Sequence, residues 1–468
     1  MNNYTTTVRR FCSLFFCLFE IFSLSAGDKQ TGLTLTLIPP TTVTDKVNLD
    51  VRAGIVNKGE LTKQLQMVFY LNNEDRTSMI YETSVEVAPK SSDCVKFMMP
   101  TQGKKGINTI ILVVKNGAKV ERLQRRIEII SSNIRSTQTI DGAWVGLYHW
   151  SETEGKHWNP DIKKLTDSQW REVVSSMNEL GMDIVVIQEL FRNEEYVGKH
   201  SIPANGYMGK AFYPSKLYPA RMPIKAKNPV EAILSEADRL GMHVFLGVGL
   251  YAWFDFSPES LAWHEKVAKE LWDRYGSHDS FYGFYVSEES VGSLDNSEAD
   301  ETTRLTRGKD IVNFFRGFKS YCRQFAPAKP IMLATNSFDI LKGNGTYPEL
   351  LKNLDILCPF GFSRMPEGDL TGKQAAELLQ NLCDTAGSHL WFDLEAFLFN
   401  GDTSLYPRPI RQIIDDLTLL DNFEKTICYQ YPGVFNNPKM SVRIGEPSTV
   451  PLFMDYKKYL QKLKARRK

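Results

Sequence analysis

The chain has 468 residues, 42% of them hydrophobic and 24% charged, with a formal net charge of +1. Such a length exceeds one small domain and supplies ample material for a core, while the balanced charge gives no sign of nucleic acid or a strongly acidic partner. Aromatic residues make up 12% of the chain, and many fall at predicted strand ends, where a flat-faced ligand needs them more than a core does.

At the N-terminus, Arg9 and Arg10 precede an apolar stretch from Phe11 to Leu24, with small residues at Ser23, Ser25 and Ala26. That order is the pattern of an export signal over residues 1–26, and the run is short for a bilayer span and contains Glu20. Cys17 follows Phe16 rather than the small residue a lipoprotein signal places there. The expectation is a soluble periplasmic or extracellular protein with no integral membrane segment after cleavage. Beyond the signal, Cys94, Cys322, Cys358, Cys383 and Cys428 are far apart, odd in number and without CxxC spacing. This argues against a disulfide framework and a zinc knuckle.

Residues 31–133 contain short alternating runs such as Leu33–Leu37, Val47–Val51, Gln66–Leu71 and Thr109–Val114, separated by Pro39-Pro40, Asn57-Lys58-Gly59 and Lys115-Asn116-Gly117. Period-two alternation between turn residues predicts strands, and their number suits an immunoglobulin-like β-sandwich. No reactive constellation lies in this segment.

After a polar connector the pattern becomes βα repetition, predicting a domain over residues 140–468. Eight strand candidates occur: Ala143–Tyr148, Met182–Ile187, His243–Gly249, Phe281–Val286, Pro330–Ala334, Leu354–Cys358, His389–Phe392 and Thr426–Gln430. Helices are predicted over Ser168–Leu180, from Pro229 to Leu240, and over Pro258–Tyr275, Arg304–Phe325, Lys373–Ala386 and Pro409–Asn422. The phrase Leu-Gly-Met recurs at Leu180 and Leu240, marking two equivalent helix-to-strand turns. Eight such units predict an α/β fold, a (β/α)8 TIM barrel, with an open doubly wound sheet as the alternative. The single GxG, Gly247-Val248-Gly249, lacks the third glycine of a dinucleotide site. The basic C-terminal tail, Lys457 to Lys468, reads as the solvated face of a C-terminal helix.

In this barrel, active sites lie at the C-terminal ends of the strands. The fourth and seventh candidates both end on acids, Glu288-Glu289 and Asp393-Leu394-Glu395. Side-chain parity places Tyr285, Ser287 and Glu289 on one face of the fourth strand, with Glu288 on the face of Val286. Along the seventh strand, Trp391, Asp393 and Glu395 share a face. Two carboxyl groups across a mouth are the equipment for cleaving a glycosidic bond. The expected catalytic pair is Glu289 as acid/base and Glu395 as nucleophile, with Asp393 or Tyr429 as orienting group. Other strand ends contribute Tyr148, His149, Trp150, Gln188, Glu189, Tyr251, Trp253, Asn336, Phe360 and Arg364. An aromatic platform with amides and acids at its rim suits pyranose rings, so Tyr148, His149, Trp150, Gln188, Glu189, Tyr251, Trp253, Tyr285, Asn336, Trp391, Asp393 and Tyr429 are candidate substrate-binding residues. For each aromatic residue taken alone, core packing is the competing explanation.

Other chemistries fit less well. The first strand carries no His-x-His, against a metal-dependent amidohydrolase, and no Gly-x-Ser-x-Gly elbow appears. Neither a cofactor nor a metal is expected.

Gly142-Ala143-Trp144, Leu180-Gly181-Met182-Asp183, Gly283-Phe284-Tyr285 leading to Glu289, and Trp391 with Asp393 and Glu395 resemble a bacterial barrel family catalogued as domain of unknown function 4434. Its members look like distant relatives of glycoside hydrolases with catalytic Glu residues on strands four and seven. The resemblance implies Glu289 as the strand-four residue. Together these readings predict an exported glycoside hydrolase acting on a poly- or oligosaccharide. The alternative is an inactive barrel serving as a carbohydrate-binding or surface-scaffold protein.

Overall fold

A computed structural model describes residues 31–192, 209–218, 220–249, 255–294 and 300–467. The signal-peptide expectation therefore lies outside the described residues. The N-terminal region is all-β. The strands Thr31–Ile38, Leu49–Asn57 and Ser92–Met99 form a three-stranded antiparallel sheet. A five-stranded sheet combines Val43–Thr44, Lys63–Leu71, Met79–Val87, Gly106–Asn116 and Lys119–Ile130. One hydrophobic cluster draws Leu35, Val51 and Ile55 from the first sheet and Met67, Phe69 and Leu112 from the second, so the two inner faces share a core.

Eight parallel strands then close a barrel: Gly142–Val145, Ile184–Ile187, His243–Gly247, Phe281–Ser290, Ile331–Thr335, Ile356–Leu357, His389–Glu395 and Lys425–Tyr429. The eighth pairs with the first through Ile427 with Gly142 and Cys428 with Ala143, which excludes the open doubly wound sheet. The two Leu-Gly-Met turns are equivalent, since Gly181 and Gly241 both sit at φ 69°, where only glycine is unstrained. The helix Pro258–Tyr275 has the predicted limits, whereas Glu301–Arg323 begins three residues earlier than expected. A short helix between the fifth and sixth strands, Tyr347–Asn353, was not predicted. The C-terminal helix Thr449–Arg467 buries Leu452, Phe453 and Tyr456 and leaves Lys462, Lys464 and Arg466 exposed. Among the described residues no helix is long and apolar enough to cross a membrane.

The lumen is a packed core, as barrels of this size require. Trp144, Phe245, Tyr282, Tyr285, Met332 and Trp391 fill it, and Ile38 of the N-terminal region enters it from below. The Tyr282 hydroxyl donates to the Leu37 carbonyl at 2.7 Å, and Lys425 donates to the carbonyl of Thr42. Around this plug lies a buried ionic network. Arg52 contacts Asp50 at 2.7 Å and Asp355 at 2.9 Å, and Lys319 reaches Asp355 at 3.0 Å. His389, at the start of the seventh strand, lies 2.7 Å from Glu424 and 3.4 Å from Asp50. The sandwich thus covers the N-terminal end of the barrel and leaves the opposite end as the mouth.

Burial opposes the charge on His389, but Glu424 and Asp50 outweigh it and raise its pKa from 6.5 to about 9. A folded-state pKa above the unfolded value stabilises fully below pH 6.5 and loses that stabilisation as pH rises through 9. The shift corresponds to roughly 3 kcal/mol. The difference in unfolding free energy between the natural chain and His389→Gln should therefore shrink by about that amount from pH 6 to pH 9.5. Denaturant titration at both pH values checks this. Taking the difference cancels the opposing contribution of Lys329, whose ammonium burial holds down to about 7. A difference that stays constant across the range contradicts the assignment.

Candidate active site

The end of the fourth strand decides which acid reaches the mouth. Val286 pairs with Leu333, and the next pair is Ser290 with Thr335, so four residues advance on one strand while two advance on the other. The two extra residues form a bulge that kinks the strand end. Glu289 takes a left-handed backbone, φ 51°. Glu288 is fully buried and turns toward the helix Pro258–Tyr275, where its Oε1 lies 3.5 Å from His264 Nε2. Glu289 faces the mouth instead, half-buried, within electrostatic reach of Glu189, Glu154 and Arg364. Burial, reinforced by Glu189 and Glu154 and opposed by Arg364, pushes its carboxyl up to about 7.

The seventh strand supplies two acids at different depths. Asp393 is buried, and desolvation together with the Glu395 and Glu289 carboxyls pushes its pKa well above the usual range. Its charge is thus coupled to both of the other acids. Glu395 lies nearer solvent, where Arg364 Nε donates to its Oε1 at 2.8 Å and Nη2 lies 2.7 Å from the same oxygen in an ion pair. Arg364 comes from the short 3-10 turn Phe362–Arg364 after the sixth strand and rests over the rings of Phe338 and Phe360, at 5.1 and 5.9 Å. Arg408 holds the main chain here by donating to the Glu395 carbonyl at 3.2 Å and to Asp416 at 2.6 Å.

The second strand ends in Gln188 and Glu189. Gln188 Oε1 accepts the Tyr429 hydroxyl at 3.1 Å, tying strands two and eight across the mouth. At Gly146 a Cβ would come 2.7 Å from Gln430 Oε1 and 3.3 Å from Gln188 Oε1 and would displace these amide ends. Glu189 is buried and bonds Arg192, while its Oε2 has no hydrogen-bond partner among the described residues. Arg192 also donates to the carbonyls of Tyr148 and His149. His149 is buried, its Nε2 lies 3.4 Å from Glu154 Oε2, and its ring stacks on Trp150 with centroids 5.7 Å apart. Desolvation first, with help from Arg192, holds His149 down to about 4. Burial alone pushes Glu154 up to about 7.

Of the residues expected from sequence, Glu289, Asp393, Glu395, Glu189, Gln188, Tyr429 and His149 converge on the mouth. Tyr285 and Trp391 lie fully buried in the lumen beneath them. Tyr148 packs in the outer hydrophobic cluster, its hydroxyl on Glu152 and its ring 4.6 Å from Lys163 Nζ. Asn336 Oδ1 accepts from the backbones of Gly292 and Phe338 and so orders the loops after strands four and five. Tyr251 and Trp253 lie outside the described residues. Sequence reading did not single out Glu154 or Arg192. Glu154 stands in a loop where strand parity says nothing, and Arg192 belongs to a two-residue strand, Phe191–Arg192, beyond the barrel.

The sequence pattern of the family described as Domain of unknown function (DUF4434) matches residues 140–442. The chain belongs to that family. The DUF4434 barrel and its N-terminal region are also similar to solved structures. A candidate alpha-L-fucosidase from Bacteroides thetaiotaomicron VPI-5482 aligns with a TM-score of 0.50 at 16% identity, over 70% of this chain and 96% of that one. A GH2 beta-galacturonidase from Eisenbergiella tayi aligns at 0.41 and 10% identity, over 93% of this chain and 71% of that one. For a Bacteroides uniformis beta-glucuronidase 2 the values are 0.41 and 10%, and the chain spans 50% of that protein. At these identities the likeness is one of fold. No curated protein matches the chain.

The electrostatics of Glu289 give a direct expectation. Glu154→Gln removes a neighbouring negative charge and should lower the Glu289 pKa, whereas Arg364→Ala should raise it. NMR titration of a carboxyl-labelled protein measures both shifts. A Glu289 resonance unmoved by either change contradicts the arrangement.

Proposed function

We propose that the DUF4434 barrel is a glycoside hydrolase acting on an oligo- or polysaccharide through two carboxyl groups. The reading also takes residues 1–26 as an export signal and residues 31–133 as an immunoglobulin-like accessory domain. It places the protein in the periplasm or outside the cell. Glycoside cleavage needs a carboxylic acid that still carries its proton at working pH, and a second carboxylate for the opposite face of the sugar. One observation carries the proposal: at the barrel mouth, burial with Glu189 and Glu154 beside it pushes the Glu289 carboxyl up to about 7, and Asp393 is electrostatically coupled to both Glu289 and Glu395.

In this mechanism Glu289 donates its proton to the glycosidic oxygen as the bond to the anomeric carbon breaks. Glu395, steadied by Arg364, attacks that carbon and forms a glycosyl-enzyme ester. Glu289, now ionised, takes a proton from water, which attacks the ester and releases the sugar with Glu395 restored. Half-buried rings at the rim, Trp150, Phe360 and Tyr429, suit the apolar faces of pyranose units.

A screen of the protein against a glycan panel tests the function. Glu289→Gln and Glu395→Gln should each lower turnover by on the order of 10³-fold or more while leaving the circular dichroism spectrum unchanged. Because the acid must be protonated, the rate should fall as pH rises through about 7. Full activity in either variant removes that residue from the mechanism. An inert natural chain across the panel favours the scaffold alternative.

A further inference from the structure

The mouth holds more carboxyl groups than a two-carboxylate hydrolysis uses. Beyond Glu289 and Glu395, it contains Glu189, Asp393 and Glu154. Two of these have buried oxygens without a hydrogen-bond partner among the described residues, Glu189 Oε2 and Asp393 Oδ1. The residues themselves are only 1% and 5% exposed. An unpaired buried polar atom costs about 1–3 kcal/mol, so such atoms call for an explanation, and a ligand hydroxyl supplies one.

The cations described at the mouth are already engaged. Arg364 gives a hydrogen bond from Nε to Glu395 and ion-pairs with the same oxygen through Nη2, and Arg192 is shared between Glu189 and two backbone carbonyls. His149 is buried and neutral at ordinary pH. Among the described residues, a carboxylate carried into this space would lose its hydration and meet only cations already paired with acids, and it would stand among acids that already repel one another.

Resting on the glycosidase reading above, we propose that the sugar ring seated between Glu289 and Glu395 is a neutral, hydroxyl-bearing pyranose rather than a uronate. Asp393 and Glu189 pair with its hydroxyls, and Glu154 disfavours sugars that bring a negative charge. A site whose buried acceptors await hydroxyls discriminates strongly against a ligand that leaves them unpaired, and the unmatched charge adds a repulsive element to the same choice.

The test uses the full-length Glu289→Gln protein, which binds without turnover. Ligand-observed NMR titration compares methyl glucoside with methyl glucuronoside, and methyl galactoside with methyl galacturonoside. In any pair that binds, the neutral member should bind at least about tenfold more tightly. Adding Glu154→Gln should narrow that gap, chiefly through tighter uronoside binding. Asp393→Leu should weaken the neutral sugar about tenfold or more, whereas Asp393→Asn, which keeps hydrogen-bonding atoms in place, should stay within about threefold. A uronoside that binds as tightly as its neutral partner overturns this inference and leaves glycoside hydrolysis standing. Failure of every sugar to bind, with a natural chain inert on the glycan panel, overturns both.

Discussion

The irregularity at the end of the fourth strand is the constraint on which the site depends. Two adjacent glutamates leave the sheet there, and only one can reach the mouth. Across the bulge between Val286 and Ser290 the alternation persists: Glu288 turns to His264 on the outer helix, and Glu289 enters the company of Glu189, Glu154 and Asp393. A regular strand end would advance one residue per partner residue and leave Glu289 no left-handed turn. The backbone at φ 51° is uncommon for a residue other than glycine, asparagine or aspartate, and such conformations persist where surrounding packing over-determines them.

The two ends of the barrel use charge in opposite ways. At the bottom, Asp50, Arg52, Asp355, Lys319 and His389 pair acids with cations inside a closed joint, and Ile38 plugs the lumen. Each buried charge there has a partner, which is the condition for burying charges in a structural joint. At the mouth, acids outnumber cations among the described residues, and pKa values are driven upward. Perturbed acids in a concave site mark function more often than stability, and in this fold the C-terminal face is where function resides.

Much of this was legible in the sequence, and the remainder was hidden for identifiable reasons. The eight strands were visible because a strand buried on both faces reads as an apolar run. Choosing Glu289 over Glu288 from the parity of Tyr285 agrees with the structure although a bulge intervenes, because the fourth strand gains two residues there and two preserve parity. The sixth strand is cut to Ile356–Leu357, which its longer apolar run did not reveal. Tyr148 follows an apolar run, as a mouth residue does, yet the first strand stops at Val145 and alternation no longer governs its direction. Glu154 and Arg192 act from a loop and a two-residue ribbon, where no periodicity exists to read. The ionic joint brings Asp50 to His389 across more than three hundred positions, a separation that local patterns cannot encode.

A crystal structure of the Glu289→Gln protein with an oligosaccharide from its active glycan class tests the central claim most directly. The account predicts the glycosidic oxygen within roughly 3 Å of the residue 289 amide, with the anomeric carbon presented to Glu395. A sugar bound away from the mouth, or one whose scissile bond is out of reach of both side chains, would contradict it.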